Sequence, residues 1–88
     1  MDAEQFRQQL REQGYGDPEP LVYPPHMTKE MHTHDISCFV LVLGGELTLV
    51  TEGGSTTYRR GDTCKIGAGT LHSEQTGASG LEALLGKR

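Results

Sequence analysis

The sequence contains no Trp, and its aromatic content is only 6%. Apolar residues make up 34% of an 88-residue chain. That length holds one domain, residues 1–88. By surface scaling, such a chain buries roughly 63% of the area its unfolded form exposes. Its core is therefore thin, and a partner, a metal or a very regular fold would reinforce it. Long apolar runs are missing as well: the longest, Cys38 to Leu43, is far too short to span a bilayer. No Lys/Arg cluster exceeds the pair Arg59–Arg60, and the balance of 8 basic to 12 acidic residues gives a net charge of −4. This excludes the electrostatic footprint of a nucleic-acid binder. The opening Met1-Asp2-Ala3-Glu4 lacks the basic and apolar regions of a signal peptide, so the chain reads as soluble and cytoplasmic. With no secretory signal, Cys38 and Cys64 are expected to be reduced thiols.

What the sequence has in abundance is glycine, at 12 residues. Glycine weakens helix interiors by about 1 kcal/mol relative to Ala, so the composition suits short strands and tight turns. One helix is expected, within residues 1–15. Asp2 can act as N-cap with Gln5 as capping-box partner, Phe6 and Leu10 form a narrow apolar stripe, and Gly14 supplies the stop. Two apolar residues do not hold a helix alone, so Phe6, Leu10 and Tyr15 should dock on something larger. Prolines at 18, 20, 24 and 25 then leave room only for a short edge segment, Leu21–Val22–Tyr23.

From residue 28 the pattern is that of strands. Ile36–Leu43 is expected to end in a hairpin at Gly44–Gly45, and Glu46–Glu52 in a second at Gly53–Gly54. Further turns are expected at Gly61–Asp62, Gly67–Thr70 and Gly77–Gly80. Leu81–Leu85 reads as a last strand, or as a helical turn. About seven short strands at this spacing argue for an all-β sandwich or barrel.

Of the four histidines, His26, His32, His34 and His72, the pair His32–His34 is the informative one. On an extended strand, residues i and i+2 point to one side, so two imidazoles face one space. His72 follows a glycine-containing corner and can enter from a neighbouring strand. Three neutral imidazoles converging in a barrel suit Zn, Fe, Ni, Cu or Mn. The ordinary reading of a lone H-x-H is a surface pair. Glu74, at i+2 from His72, shares its strand face and reads either as a carboxylate beside the site or as a solvated strand end. His26 and Glu30 read as pocket rim or plain surface.

At this point the sequence resembles the cupin superfamily. The first cupin motif, G-(x5)-H-x-H-(x3–4)-E-(x6)-G, is matched by His32, His34 and the closing Gly45. The second, G-(x5)-P-x-G-(x2)-H-(x3)-N, is matched by Gly61, Gly69 and His72. Phe39–Leu47 resembles the strand and turn that follow the first motif, and the likeness covers about residues 20–85. The sequence departs at four positions: His26 replaces the opening Gly, Cys38 the motif-one Glu, Gly67 the Pro and Thr76 the final Asn.

The resemblance implies a double-stranded β-helix (jelly-roll) barrel with a short N-terminal helix. It implies a divalent metal (Zn, Fe, Ni or Mn) on His32, His34 and His72, with Cys38 at the fourth ligand position. Three readings of Cys38 stay open: a thiolate ligand, a thiol beside a three-histidine iron as in some thiol dioxygenases of the superfamily, or a buried small hydrophobe. The implied function is a metal-dependent small-molecule enzyme of dioxygenase or isomerase type. The alternative is a non-catalytic, metal-stabilised module that binds or senses a small ligand. Phe39, Leu41, Val42, Leu47 and Leu49 are candidates for the wall that limits ligand size. The thin core and the family's habit of pairing both point to a homodimer.

Overall fold

The structure is a computed structural model describing residues Met1–Arg88. Helix α1 (Ala3–Glu12) begins at the expected cap. Gln5 N–H donates to Asp2 Oδ1 (2.8 Å), and Asp2 N–H donates to Gln5 Oε1 (3.1 Å). Two donors that the helix leaves free are thus satisfied. Gly14, at φ +77°, ends it, and Tyr15 N–H reaches back to the Leu10 carbonyl (2.9 Å). The helix holds because Phe6 and Leu10 bury completely against Phe39 and Leu41. The rings of Phe6 and Phe39 meet edge-on at 5.0 Å. Packing of one face, rather than propensity, stabilises a helix this short.

Six strands follow: β1 (Glu19–Tyr23), β2 (Thr28–His32), β3 (Cys38–Thr51), β4 (Gly54–Arg59), β5 (Thr63–Ile66) and β6 (His72–Lys87). All pairings are antiparallel. The spine is the long pair β3–β6, which runs from Cys38↔Lys87 to Val50↔Ser73. The other strands add to its two halves. β1 pairs with β6 over Leu81–Leu85 and β5 with β3 over Cys38–Leu41. β2 pairs with β6 over His72–Gln75 and β4 with β3 over Glu46–Thr51. The product is two four-stranded layers joined through two bent strands, a jelly-roll barrel whose ladder does not close.

The bends correct two expectations. Gly44–Gly45 is not a hairpin and Gly77–Gly80 is not a turn, because β3 and β6 run continuously through both. The β3–β6 register shifts on either side of Gly44–Gly45. Gly45 (φ +72°) and Gly80 (φ +67°) lie back to back there, and a Cβ on Gly45 would strike the Gly80 carbonyl. A bulge changes which residues face inward. In β3 the core set is Cys38, Val40 and Val42 before the glycines and Leu47 and Leu49 after them. In β6, His72, Glu74 and Thr76 are buried before the bend, and Leu81 and Ala83 after it. Leu81–Leu85 is therefore strand, not a helical turn. The β3–β4 hairpin turns at Glu52–Gly53, one residue ahead of the expected pair. Leu21–Val22–Tyr23 forms an edge strand, as its flanking prolines require.

Candidate metal centre

The site is built on the first half of β6. His72 and Glu74 alternate onto its buried face, with relative exposures of 1% and 5%. β2 lies alongside and sets Lys29 opposite Glu74 and His32 opposite His72. The register is irregular between Lys29 and His32. His34 lies just beyond the end of β2, and its carbonyl accepts the Gly69 N–H (2.8 Å). The glycine corner before His72 thereby holds the loop that carries His34. Ser37 Oγ accepts the Ala68 N–H (3.1 Å) and ties the same two segments.

The imidazoles are oriented through their far nitrogens. His72 Nδ1 lies 2.8 Å from the Thr70 carbonyl, and His32 Nδ1 lies 2.6 Å from the Glu30 carbonyl. A carbonyl only accepts, so each Nδ1 carries the proton. In the neutral ring each Nε2 is then a lone-pair donor. His32 Nε2 stands 3.1 Å from His34 Nε2 and 3.4 Å from Glu74 Oε2. The three ring centroids lie 4.3–5.3 Å apart. One ligand-type atom from each of His32, His34, His72 and Glu74 falls within 4.8 Å of the others.

The fit of this cluster to a metal is testable on His72. Its Nε2 is fully buried and has no hydrogen-bond partner. An unpaired buried acceptor costs about 1–3 kcal/mol. A divalent cation held by the cluster would remove that cost by taking the His72 Nε2 lone pair. Three imidazoles and a carboxylate are a donor set for Zn, Fe, Ni or Mn, so the residues fit the group.

Glu74 is held from behind. Tyr23 Oη donates to Glu74 Oε1 (3.3 Å), and Lys29 Nζ donates to Tyr23 Oη (3.2 Å) while lying 4.6 Å from the Tyr23 ring centre. Burial raises the Tyr23 pKa, with Lys29 opposing and Glu74 adding to the rise. The Lys29 pKa is raised by its hydrogen bond to Tyr23, against a smaller effect of burial.

A cavity of about 210 Å³ opens beside the cluster. Leu21, Ile36, Val40, Ile66 and Leu85 line it together with Tyr23, Lys29, Cys38, His34, His72, Glu74 and Lys87. Its wall differs from the expected one. Phe39 and Leu41 point to the opposite face, under α1, while Val42 and Leu47 pack between the layers away from the cavity. Leu49 lines a separate hollow on another side of His72.

The structure brings His32, His34 and His72 together; Cys38 is not among the four clustered groups. Cys38 starts β3 between Ile66 and Lys87, in the layer facing the one that carries His72, and contributes to the cavity wall. Burial raises its thiol pKa, with Lys87 opposing and Glu74 adding to the rise. The carboxylate comes instead from β6, as Glu74, whose sequence signal was its i+2 spacing from His72. Tyr23 and Lys29 carried no comparable signal, because only the pairing of β1 and β2 with β6 delivers them. The Glu30 and His26 side chains lie outside the cavity lining.

No protein-family model matches the chain, and no curated protein matches it. Solved structures do match. An RmlC-like cupin from Shewanella frigidimarina superposes with a TM-score of 0.67 at 15% identity, over 81% of this chain and 64% of that one. A Cupin 2 conserved barrel domain protein from Salinispora arenicola gives 0.68 at 17% identity, over 81% and 60%. The DMSP lyase DddQ from Ruegeria pomeroyi gives 0.72 at 22% identity, over 82% of this chain and 37% of the lyase. This chain thus spans well under half of that enzyme's length. No helix is long and apolar enough to cross a membrane. Strand order, bent spine and these likenesses together give the chain the fold of the cupin superfamily.

Proposed function

We propose that the protein binds one divalent transition-metal ion through His32, His34, His72 and Glu74 and acts on a small molecule seated in the adjoining cavity. The observation that carries this reading is the buried, unpartnered Nε2 of His72, aimed among the other donors. When bound, such an ion supplies Lewis-acid polarisation of a ligand oxygen. The chain's own residues do the rest. The Glu30 and Thr70 carbonyls hold two imidazoles in the required tautomer. Tyr23 orients Glu74, and the apolar wall excludes water and limits ligand size. That a DMSP lyase shares the barrel supports an enzymatic reading, in which the cavity holds the reacting molecule.

The test is metal analysis and titration of protein purified without a polyhistidine tag. One equivalent of metal, lost in His72→Ala, is the expected result. Substoichiometric metal that chelator leaves unchanged would defeat the reading. Bound metal and ligand with no turnover would assign the same site to a sensor. A homodimer belongs to this proposal too. Val22 on edge strand β1 is 71% exposed, and Met31, Ile36 and Leu71 are exposed apolar residues, so a second copy would cover surface that the thin core leaves open. Light scattering showing only a 9.6 kDa species would sink that part.

A further inference from the structure

We infer that the molecule taken by the cavity is a small organic carboxylate and that Lys29 is its anion anchor; this rests on the metal reading of the neighbouring cluster. The cavity, at about 210 Å³, holds roughly seven waters' worth of liquid volume. The part of the occupant held inside it is therefore a body of a few carbons. Five aliphatic side chains line it, so the body is apolar.

The charged groups on the wall are Lys29, Lys87 and Glu74, and they differ in what already engages them. Lys87 Nζ pairs with Glu19 Oε1 (3.3 Å). Glu74 is engaged by Tyr23 and stands against His32. Lys29 has no carboxylate partner: its ammonium makes one hydrogen bond, to the neutral Tyr23 hydroxyl, and is steadied over that ring. An ammonium has three donors, so two remain for a ligand. With a divalent ion in place and Lys87 paired to Glu19, the wall sets Lys29 and the ion against the single carboxylate of Glu74. Anions are then favoured over neutral or cationic molecules.

Register sets the orientation. Lys29 faces Glu74 across the ladder, and His72 lies two residues further along β6, about 7 Å at strand rise. A carboxylate head at Lys29 therefore leaves a short chain to reach toward the cluster. A single ammonium suits a monocarboxylate. Phosphate dianions recruit several donors at once, such as a helix N-terminus or paired arginines, and none lines this cavity.

The experiment titrates butyrate and its neutral isostere butyramide, by calorimetry, into the zinc-loaded chain and into Lys29→Met. Lys29 is exposed, and the zinc affinity of each protein is measured separately by competition with a chromophoric chelator. Butyrate is expected to bind at least about tenfold more tightly than butyramide, the scale of one charge-assisted hydrogen bond. Lys29→Met should abolish that preference when both proteins are held at saturating zinc, the zinc concentration for each being set from its own measured affinity. Equal binding of the two ligands, a preference undiminished in Lys29→Met, or tighter binding of inorganic phosphate than of butyrate would overturn the inference. If the parent fails to bind zinc, the metal reading fails on that readout alone. The same ligand pair on metal-free protein then decides the anchor: a preference lost in Lys29→Met supports it, and no preference overturns it.

Discussion

Phe39 and Leu41 differ from Cys38 and Val40 by one step along β3, yet the two faces of that strand are built to opposite standards. On the outer face, Phe39 and Leu41 meet Phe6 and Leu10 of α1, and all four are 3% exposed or less. The packing there is apolar, with the Lys65 ammonium lying over the Phe39 ring (4.8 Å), and Gly86 gives Leu10 room to settle onto β6. On the inner face, Cys38 and Val40 look onto a cavity that ends at a buried histidine with an unpartnered nitrogen. Close packing with no unpaired polar group is what stability alone would select. An open cavity and an orphaned acceptor cost stability, and under the proposed function they are where the fold would serve a ligand. Under that proposal, stability and function fall on opposite sides of one strand.

If that division is right, the two faces respond differently to damage. The largest effect is expected from Phe6→Ala, which empties the outer face. It should cost about 3–5 kcal/mol of stability in chemical denaturation while any folded fraction keeps the parent's zinc affinity. Loss of zinc affinity in step with stability would break the division. The next effect comes from the inner face. Zinc at a hundredfold excess over its Kd should raise stability by about 2.7 kcal/mol, or about 10–20 °C in Tm. His72→Ala should show no such rise, and an equal rise in that variant would place the metal elsewhere.

Tyr23→Phe is a finer probe, because it removes only the hydroxyl that holds Glu74 Oε1. Groups that orient a metal ligand in this way are worth about 10–100-fold in affinity. Unchanged zinc affinity would detach Glu74 from the centre. The smallest effect lies in alkali. Burial pushes the Cys64 thiol from 9.0 up to about 12, with Glu74 and Cys38 adding to the rise. The folded state therefore keeps the proton that the unfolded chain loses above pH 9, so stability falls as pH rises. Between pH 8 and pH 10 the Cys64 share is on the order of 1 kcal/mol. Cys64→Ala should flatten the pH dependence by that amount, whatever its effect on stability at neutral pH. An unchanged slope would contradict the burial of this thiol.

Much of the outer face and part of the inner one were legible in the sequence. The helix could be read because its signals are local: Asp2, Gln5, Phe6, Leu10 and Gly14 lie within four turns of one another. His32, His34 and His72 could be singled out because motif spacing encodes them. The bends at Gly44–Gly45 and Gly80 could not, since left-handed glycines serve a hairpin and a bulge equally well. What decides between them is the glycine opposite, a distant partner in the other long strand. Glu74 suffered the same ambiguity. Its strand face followed from His72, but its burial depends on Tyr23 and Lys29 arriving from β1 and β2. Composition likewise says nothing of which face of β3 the helix takes, and so Phe39 and Leu41 read as cavity wall.

The make-up of the centre is tested most directly by cobalt(II), which takes the same donors and reports them in its absorption spectrum. One equivalent of cobalt should give ligand-field bands without a thiolate-to-cobalt charge-transfer band, because Glu74 rather than Cys38 completes the cluster. The bands should vanish in His72→Ala. A strong thiolate band that disappears in Cys38→Ser, or ligand-field bands that persist in His72→Ala, would contradict the account.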